Sequence, residues 1–358
     1  MKVLITGGSG YFGTELNKYL TSKGHQVWSY DAGFFKDNWL GDQLKLNEEW
    51  VDSRDLTEQK LDSFDSVIHF AGISNDPLKQ LSEDELHKPS VEYSYRIAKI
   101  CKSLNKQFIF ASSCSVYGFS SDTVDEKTVT SPLTPYSKAK VEIENELNSL
   151  SDDYWQPIIL RFATIFGFSS RMRFDTVINM LCGMAVADKR ISLNSNGRAI
   201  RPFLYIEDAC SVINNFIEMT INMNYLLEKN KVVVNVGRSN DNYTIKEVAE
   251  TVCEISKVSL FDQNTNSSSI PSVFTDTKIV DGVDKRSYRV SFKKLETCLN
   301  LNSTKSNLAN NITKTIENLR KTNLKMSDLK EAKYYRLQYL ESLIEQQILT
   351  NELKYHKK

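Results

Sequence analysis

Glycine is scarce in this chain: 14 of 358 residues, about half the ~7% share usual in proteins. Net charge of one sign is lacking as well, with 45 Lys and Arg against 45 Asp and Glu. That balance argues against a nucleic-acid binder driven by bulk positive charge. The six cysteines, Cys101, Cys114, Cys182, Cys210, Cys253 and Cys298, are scattered and form no C-x-x-C pair. A disulfide framework and a zinc site are thereby disfavoured, no metal is expected, and a reducing, cytoplasmic compartment is. No run approaches the ~18 apolar residues of a membrane span, and the short apolar start, broken at once by glycine, is no signal peptide. What remains is an average globular composition, 41% hydrophobic and 25% charged, long enough for a sizeable core.

Against that scarcity, Gly7, Gly8, Gly10 and Gly13 fall within seven residues of one another. They follow an apolar run, Val3–Thr6, and precede a helical pattern, Tyr11–Lys23. A phosphate needs backbone N–H groups free of Cβ atoms at the positive end of a helix. The G-x-x-G-x-x-G spacing supplies this: Gly7 for the tight turn, Gly10 for approach of a pyrophosphate, and Gly13 for close helix packing, with Tyr11 and Phe12 between them. The second apolar run, Gln26–Tyr30, ends at Asp31. A carboxylate there accepts from ribose hydroxyls and repels a 2′-phosphate, favouring NAD over NADP. Arg54 and Lys36 are the competing 2′-phosphate partners.

Further short apolar runs at Ser66–Phe70, Phe108–Ala111 and Pro157–Phe162 alternate with helical stretches such as Ser90–Leu104. Alternation of this kind predicts right-handed βαβ units and an α/β, doubly wound parallel (Rossmann) sheet. We expect it over residues 1–167. Phe203–Ile206, a helix from Asp208, and Val232–Val236 are expected to return to it, making 203–237 part of the same domain. Residues 168–202 and 238–318 are read as a smaller, discontinuous substrate-binding lobe. Residues 319–358 form a C-terminal helical extension, in which Leu329, Leu337, Leu340, Ile344 and Ile348 follow a helical spacing.

Tyr136 and Lys140 stand at i and i+4, which places a phenol and an ammonium on one helix face. A nearby cation lowers a tyrosine pKa toward the range of a working base. The same spacing occurs at Tyr19/Lys23, Tyr95/Lys99 and Tyr225/Lys229. Position selects Tyr136: it follows the Pro132/Pro135 turn, 23 residues after Ser113 in a serine cluster ending a buried run. Strand C-termini form the ligand crevice of such folds.

These motifs together resemble the extended short-chain dehydrogenase/reductase family, in its NAD-dependent nucleotide-sugar epimerase/dehydratase branch. The resemblance spans roughly residues 1–315. It rests on TGGSGYFG at 6–13, VDSRD at 51–55, HFAG at 69–72, SSCSVYG at 112–118, PYSKAK at 135–140, LRFATIFG at 160–167, RPFLYIEDA at 201–209 and NVG at 235–237. It implies Ser113 as the hydroxyl that holds the sugar alcohol, Tyr136 as base, and Lys140 as partner of the nicotinamide ribose. Asp52 and Ser53 would border the adenine, with Ala71 also at the cofactor. Ser115, Asn179, Arg173, Arg201 and Arg286 would meet a nucleotide-diphosphate sugar.

The 4,6-dehydratases of this branch carry Asp-Glu directly after the catalytic hydroxyl residue, where this chain has Cys114 and Ser115. An asparagine common in the helix before the serine strand is replaced by the Ser90-Val-Glu-Tyr-Ser run. SNDP at 74–77 and FGFSSRMRFDTVIN at 166–179 also resemble a subgroup acting on surface-polysaccharide precursors, some of them nucleotide-heptose C4 dehydrogenases; Arg171 joins Arg173 as a sugar-phosphate candidate there. The implied activity is NAD-dependent oxidation at C4 as a 4-epimerase or 4-dehydrogenase. A 4-keto sugar reductase, a dehydratase and a non-catalytic scaffold are the alternatives. A homodimer or larger homo-oligomer is expected, paired through Ser90–Leu104 and Tyr136–Leu150, with neither nucleic acid nor membrane as partner.

Overall fold

The structure is a computed structural model and describes all residues except 75–82, 189, 194–195, 220–222, 229–230, 263–286, 300–307 and 357–358. Seven strands form a central sheet: β1 (Lys2–Thr6), β2 (Gln26–Asp31), β3 (Glu48–Trp50), β4 (Ser66–His69), β5 (Gln107–Ser113), β6 (Ile158–Phe162) and β7 (Val232–Val236). Their order is 3-2-1-4-5-6-7, and every pairing is parallel. The order reverses between β1 and β4, and at such a switch point the diverging loops open a crevice.

The strands read as continuous apolar runs because both faces are covered. Val3 and Ile5 pack into a core on one face with Leu16 and Leu20. These two leucines belong to α1 (Tyr11–Ser22). Leu4 points to the opposite face, against Phe108, Ile97 and Ile143. That face is covered by α2 (Glu83–Ser103) and α3 (Pro135–Leu150), which lie side by side. Helix α3 starts where Thr134 and Ser137 form a reciprocal capping box with Pro135 at the first turn. The start of the helix that carries Tyr136 is therefore fixed by local sequence.

The second lobe packs α4 (Val177–Ala187), α6 (Ile245–Ser256) and α7 (Leu308–Lys321) around its own core of Met180, Leu181, Val248, Ile312 and Ile316. Helix α5 (Ile206–Ile217) returns to pack on α1.

Three expectations need correction. The run at 203–206 belongs to strand Ile200–Tyr205, which pairs with Thr164–Phe166 and Asn242–Thr244 in a separate three-stranded sheet rather than the central one. Strand β3 was not anticipated: Glu-Glu-Trp carries no apolar run, since this edge strand has only one neighbour. The C-terminal extension is not one helix. Helix α7 crosses the expected boundary at 319, two 3₁₀ turns follow at Asp328–Lys330 and Ala332–Tyr334, and among the described residues the one further helix is α8 (Arg336–Glu345). Gln347 then adopts φ 57°, and the chain folds back on itself. Leu329 is buried in the second-lobe core, whereas Ile348 is exposed.

Among the described residues no helix is long and apolar enough to cross a membrane, and no cluster of His, Cys, Asp and Glu could hold a metal. All six cysteines are unpaired.

Candidate active site

A cleft of about 400 Å³ opens along the C-terminal edge of the sheet. Its walls come from the loops after β1, β2, β3 and β4, the end of β5, the start of α3 and the segment after β6.

The glycine turn forms one wall. Gly7 adopts φ 70°, and a Cβ there would lie 2.7 Å from the Ala71 backbone nitrogen. Gly10 precedes α1 with no side-chain cap, and its missing Cβ would meet only the Gly7 carbonyl, at 3.4 Å. The first-turn N–H groups of α1 therefore open toward the cleft. Gly13 is packed onto the turn itself: a Cβ would sit 2.6 Å from the Gly8 backbone. Gly8, unassigned from sequence, lies against Ser29 of β2. Replacing Gly13 with alanine is expected to push α1 off the turn. It should cost about 1–3 kcal/mol, read by denaturant unfolding, with a parallel loss of dinucleotide affinity in equilibrium titration. Phe12 is held by stacking on Phe70, with centroids 4.8 Å apart, and edge-on against Phe162. The Tyr11 hydroxyl donates to the Gly167 carbonyl at 2.8 Å.

At one end of the cleft, Asp31 is held from two sides. Its oxygens accept the Gly33 N–H at 2.8 Å and the Ser9 N–H at 3.1 Å. Burial pushes its carboxyl pKa up, while those amides and the Arg171 and Arg336 guanidinium groups work against the rise. Asp52 is paired with Arg54 at 2.6 Å, and Arg54 also donates to the carbonyls of Glu352 and Leu353. Lys36 lies over the Trp50 ring. Arg54 is thus committed to Asp52 and the chain's own C-terminal segment, which weakens the 2′-phosphate alternative. Asp52 and Ser53 both line the cleft, as does Ala71.

At the other end stand Ser113, Tyr136 and Lys140, all on the cleft wall. Lys140 donates to the Ala111 carbonyl at 2.7 Å and lies 5.6 Å from the Tyr136 ring centroid. Burial lowers its pKa to about 8, against a raising influence from Glu144. Ser113 accepts from both the N–H and the hydroxyl of Ser115, the latter at 2.9 Å. Ser115 is not among the cleft-lining residues, and its N–H and hydroxyl both engage Ser113. Cys114 is buried with its thiol donating to the Arg161 carbonyl, and burial drives its pKa well above the usual value. Behind this end, His69 joins Thr6 to Ser94, and burial lowers it to about 3, keeping the ring neutral. The rival pairs lie elsewhere: Tyr19/Lys23 ends α1, Tyr95/Lys99 is on α2, and none of the four lines the cleft. Tyr225 is exposed, and Lys229 lies outside the described residues.

The expected sugar-diphosphate set is only partly brought together. Arg173 reaches the cleft, paired with Asp175 and donating to Ser74. Asn179 does not: it is fully buried, accepting the Gly167 N–H and donating to the Arg173 carbonyl. Arg171 is likewise buried, ion-paired with Glu48 of β3 and stacked on Trp39. Arg201 stacks on Tyr288 in the second lobe, outside the cleft lining. Arg286 lies outside the described residues. Ser90 lines the cleft where the asparagine was absent, and its hydroxyl accepts from Tyr93. Sequence reasoning missed Arg336, Leu340, Glu352 and Leu353, which also line the cleft. They sit some 300 residues from Arg54 along the chain, and no local motif announces them.

A parallel sheet of this order, with a glycine turn at its switch point and a tyrosine–lysine pair across the cleft, defines a dinucleotide-binding α/β oxidoreductase fold. A match to the NAD dependent epimerase/dehydratase family spans residues 3–237, and the chain belongs to that family. Its cofactor, NAD, fits the open first turn of α1 and the held Asp31 carboxylate. Over 225 residues the chain is 28% identical to a Bacillus subtilis (strain 168) protein described as an uncharacterized UDP-glucose epimerase, YtcB, covering 58% of this chain and 70% of that one. It is 25% identical over 235 residues to the ADP-L-glycero-D-manno-heptose-6-epimerase of Brachyspira hyodysenteriae, covering 60% and 72%. Among solved structures, MoeE5 in complex with UDP-glucuronic acid and NAD superposes with a TM-score of 0.71 at 21% identity, covering 90% of this chain and 100% of that one. The UDP-glucuronic acid 4-epimerase from Bacillus cereus gives 0.69 at 22%, covering 90% and 99%. At these identities the structural likeness speaks for the fold.

Proposed function

We propose that the protein is a nucleotide-sugar 4-epimerase: it oxidises C4 of a nucleotide-diphosphate sugar and reduces the same centre again. The observation that carries this reading is the convergence of Ser113, Tyr136 and Lys140 at one end of the cleft, with Cys114 turned into the core beside them. Tyr136 takes the proton from the C4 hydroxyl. Ser113, itself oriented by Ser115, holds the hydroxyl oxygen. Lys140 stabilises the ionised phenol through its charge. NAD supplies the hydride acceptor. A dehydratase needs an acid and a base for loss of water, and neither Cys114 nor Ser115 provides a carboxylate. Arg173, with Arg201 in the second lobe, is the proposed anion contact of the nucleotide sugar, and Arg286 is proposed with them from the sequence resemblance alone. The resemblance to surface-polysaccharide enzymes makes a precursor of such a polymer the proposed substrate.

A 4-dehydrogenase shares the first half of this reaction. Incubation with UDP-, GDP-, CDP- and TDP-sugars separates the readings. An epimer forming without net NADH supports the proposal; NADH accumulating in step with a keto sugar supports the dehydrogenase. NADH consumed by a supplied 4-keto sugar would instead mark a reductase.

Lys140 is an ammonium below its lowered pKa and neutral above it, so its contribution is lost as pH rises. The kcat/KM profile is expected to fall above about pH 8. Activity that holds through the ordinary lysine range would contradict this role. A homodimer through α2 and α3 belongs to the same proposal. The exposed positions there are Lys88, Glu92, Lys99, Ser103, Lys138, Glu142, Asn145 and Ser149, a polar set of both charge signs, so sedimentation at two salt concentrations would read the pairing.

A further inference from the structure

Beyond residue 321 the chain returns to the cofactor groove. Leu340, Leu343, Leu349 and Leu353 form a small core packed against Phe34 and Phe35, on the loop that follows Asp31. Arg54 fastens the end of this segment through the Glu352 and Leu353 carbonyls, both at 2.6 Å. The Tyr355 hydroxyl donates to the Gly33 carbonyl at 3.0 Å.

Arg336, at the start of α8, stands apart from its neighbours. It is 5% exposed and lines the cleft, with its guanidinium 4.0 Å from the Phe35 ring centroid. Both of its terminal nitrogens are buried and have no hydrogen-bond partner among the described residues. Asp175 is a natural partner by charge, but one of its oxygens accepts Arg173 Nε and the other accepts the backbone N–H of Arg336. The carboxylate holds the start of the helix and answers the guanidinium charge in part, but it gives the side chain no hydrogen bond. A buried cation without hydrogen bonds is costly, and one aromatic face offsets only part of that cost. Burial, with Arg173 nearby, lowers the guanidinium pKa to about 10, so the charge persists at neutral pH. A planar fork of donors in this state fits a phosphate. Its position within the field of Asp31, in the cleft that the glycine turn walls, favours the dinucleotide over the nucleotide sugar as the source.

We propose that Arg336 binds the diphosphate bridge of NAD, and that the C-terminal segment fastened by Arg54 and Tyr355 closes the adenosine end of the groove, holding NAD as a resident cofactor. A cofactor that stays suits a closed cycle of oxidation and reduction. The inference rests on NAD occupying this groove, whichever sugar is turned over.

The test uses the full chain and its Arg336→Met and Arg336→Lys variants. NAD content after gel filtration is measured first, then titration of the stripped proteins with NAD, adenosine and UDP. Arg336→Met is expected to lose NAD on the column and to bind it about tenfold or more weakly. Adenosine and UDP affinities should stay unchanged, and Arg336→Lys should fall between. Without ligand, Arg336→Met should unfold no earlier than the parent, which a merely structural arginine would not allow. Equal NAD affinity in parent and Arg336→Met overturns the proposal. So does a loss confined to UDP, which would give the arginine to the other diphosphate. A parent protein that binds no NAD would overturn the reading of the groove itself, and this proposal with it.

Discussion

Replacing Tyr136 with phenylalanine is expected to lower kcat by about 10²- to 10⁴-fold, the range over which a positioned general base acts, while NAD affinity stays within a few-fold of the parent. The change removes one oxygen and leaves the ring, so the packing around it survives. Lys140 keeps its bond to the Ala111 carbonyl and its contact with the Phe110 ring. The glycine turn and Asp31, which would carry most of the cofactor contact, lie at the far end of the cleft and are untouched. Turnover by stopped assay, together with NAD titration, checks both halves. Undiminished turnover would remove Tyr136 from the chemistry; a matching loss of NAD affinity would make its role one of binding.

The largest stability effect is expected at Glu144. This carboxylate lies inside α3, pairs with Arg161 of β6 at 2.6 Å, and is 3% exposed in its side chain, against 8% for the arginine. It also accepts from the Ser112 hydroxyl at 2.5 Å. Arg161 continues the network to the Tyr117 hydroxyl, which donates to Asn235. Burial works to lower the Arg161 pKa, but the contacts with Glu144 outweigh it and hold the group above its usual value. Glu144→Ala strands a buried guanidinium and should cost about 3–5 kcal/mol in denaturant unfolding. Replacing both partners with methionine should recover most of that loss, because the desolvation of two charges disappears with their attraction. Ser112 precedes Ser113 on β5, so the single variant is also expected to lower kcat by loosening the strand end. A cost below about 1 kcal/mol would place the pair in the range of surface bridges.

How much of this was legible in the sequence depends on how local each signal is. The strands β1, β2, β4, β5, β6 and β7 declare themselves because a parallel strand buried on both faces must be apolar throughout. The edge strand β3, with Glu48, Glu49 and exposed Trp50, obeys no such rule. Strand Ile200–Tyr205 is apolar enough to be seen, but its partner sheet is set by pairing with Thr164–Phe166, over thirty residues upstream, and a linear reading assigned it to the larger sheet. Within the cleft, the glycine turn and Tyr136/Lys140 are local patterns with one chemical meaning each. Asn179 and Ser115 were placed by resemblance, and both prove to hold backbone or a neighbouring hydroxyl. Arg336 left no trace in the sequence: one basic residue opening an amphipathic helix reads as a solvated charge, and only tertiary packing against Phe35 makes it buried.

In the proposed reaction, C4 of a nucleotide sugar gives up its hydrogen within this cleft and regains it. The most direct measurement mixes the NAD-loaded protein with nucleotide sugars deuterated at C4, following NADH absorbance and then the isotope content of cofactor and product. The prediction is a transient of NADH carrying deuterium, followed by an epimer with the deuterium restored at C4. An epimer formed with no deuterium ever reaching the cofactor, or no NADH from any of the sugars, would contradict it.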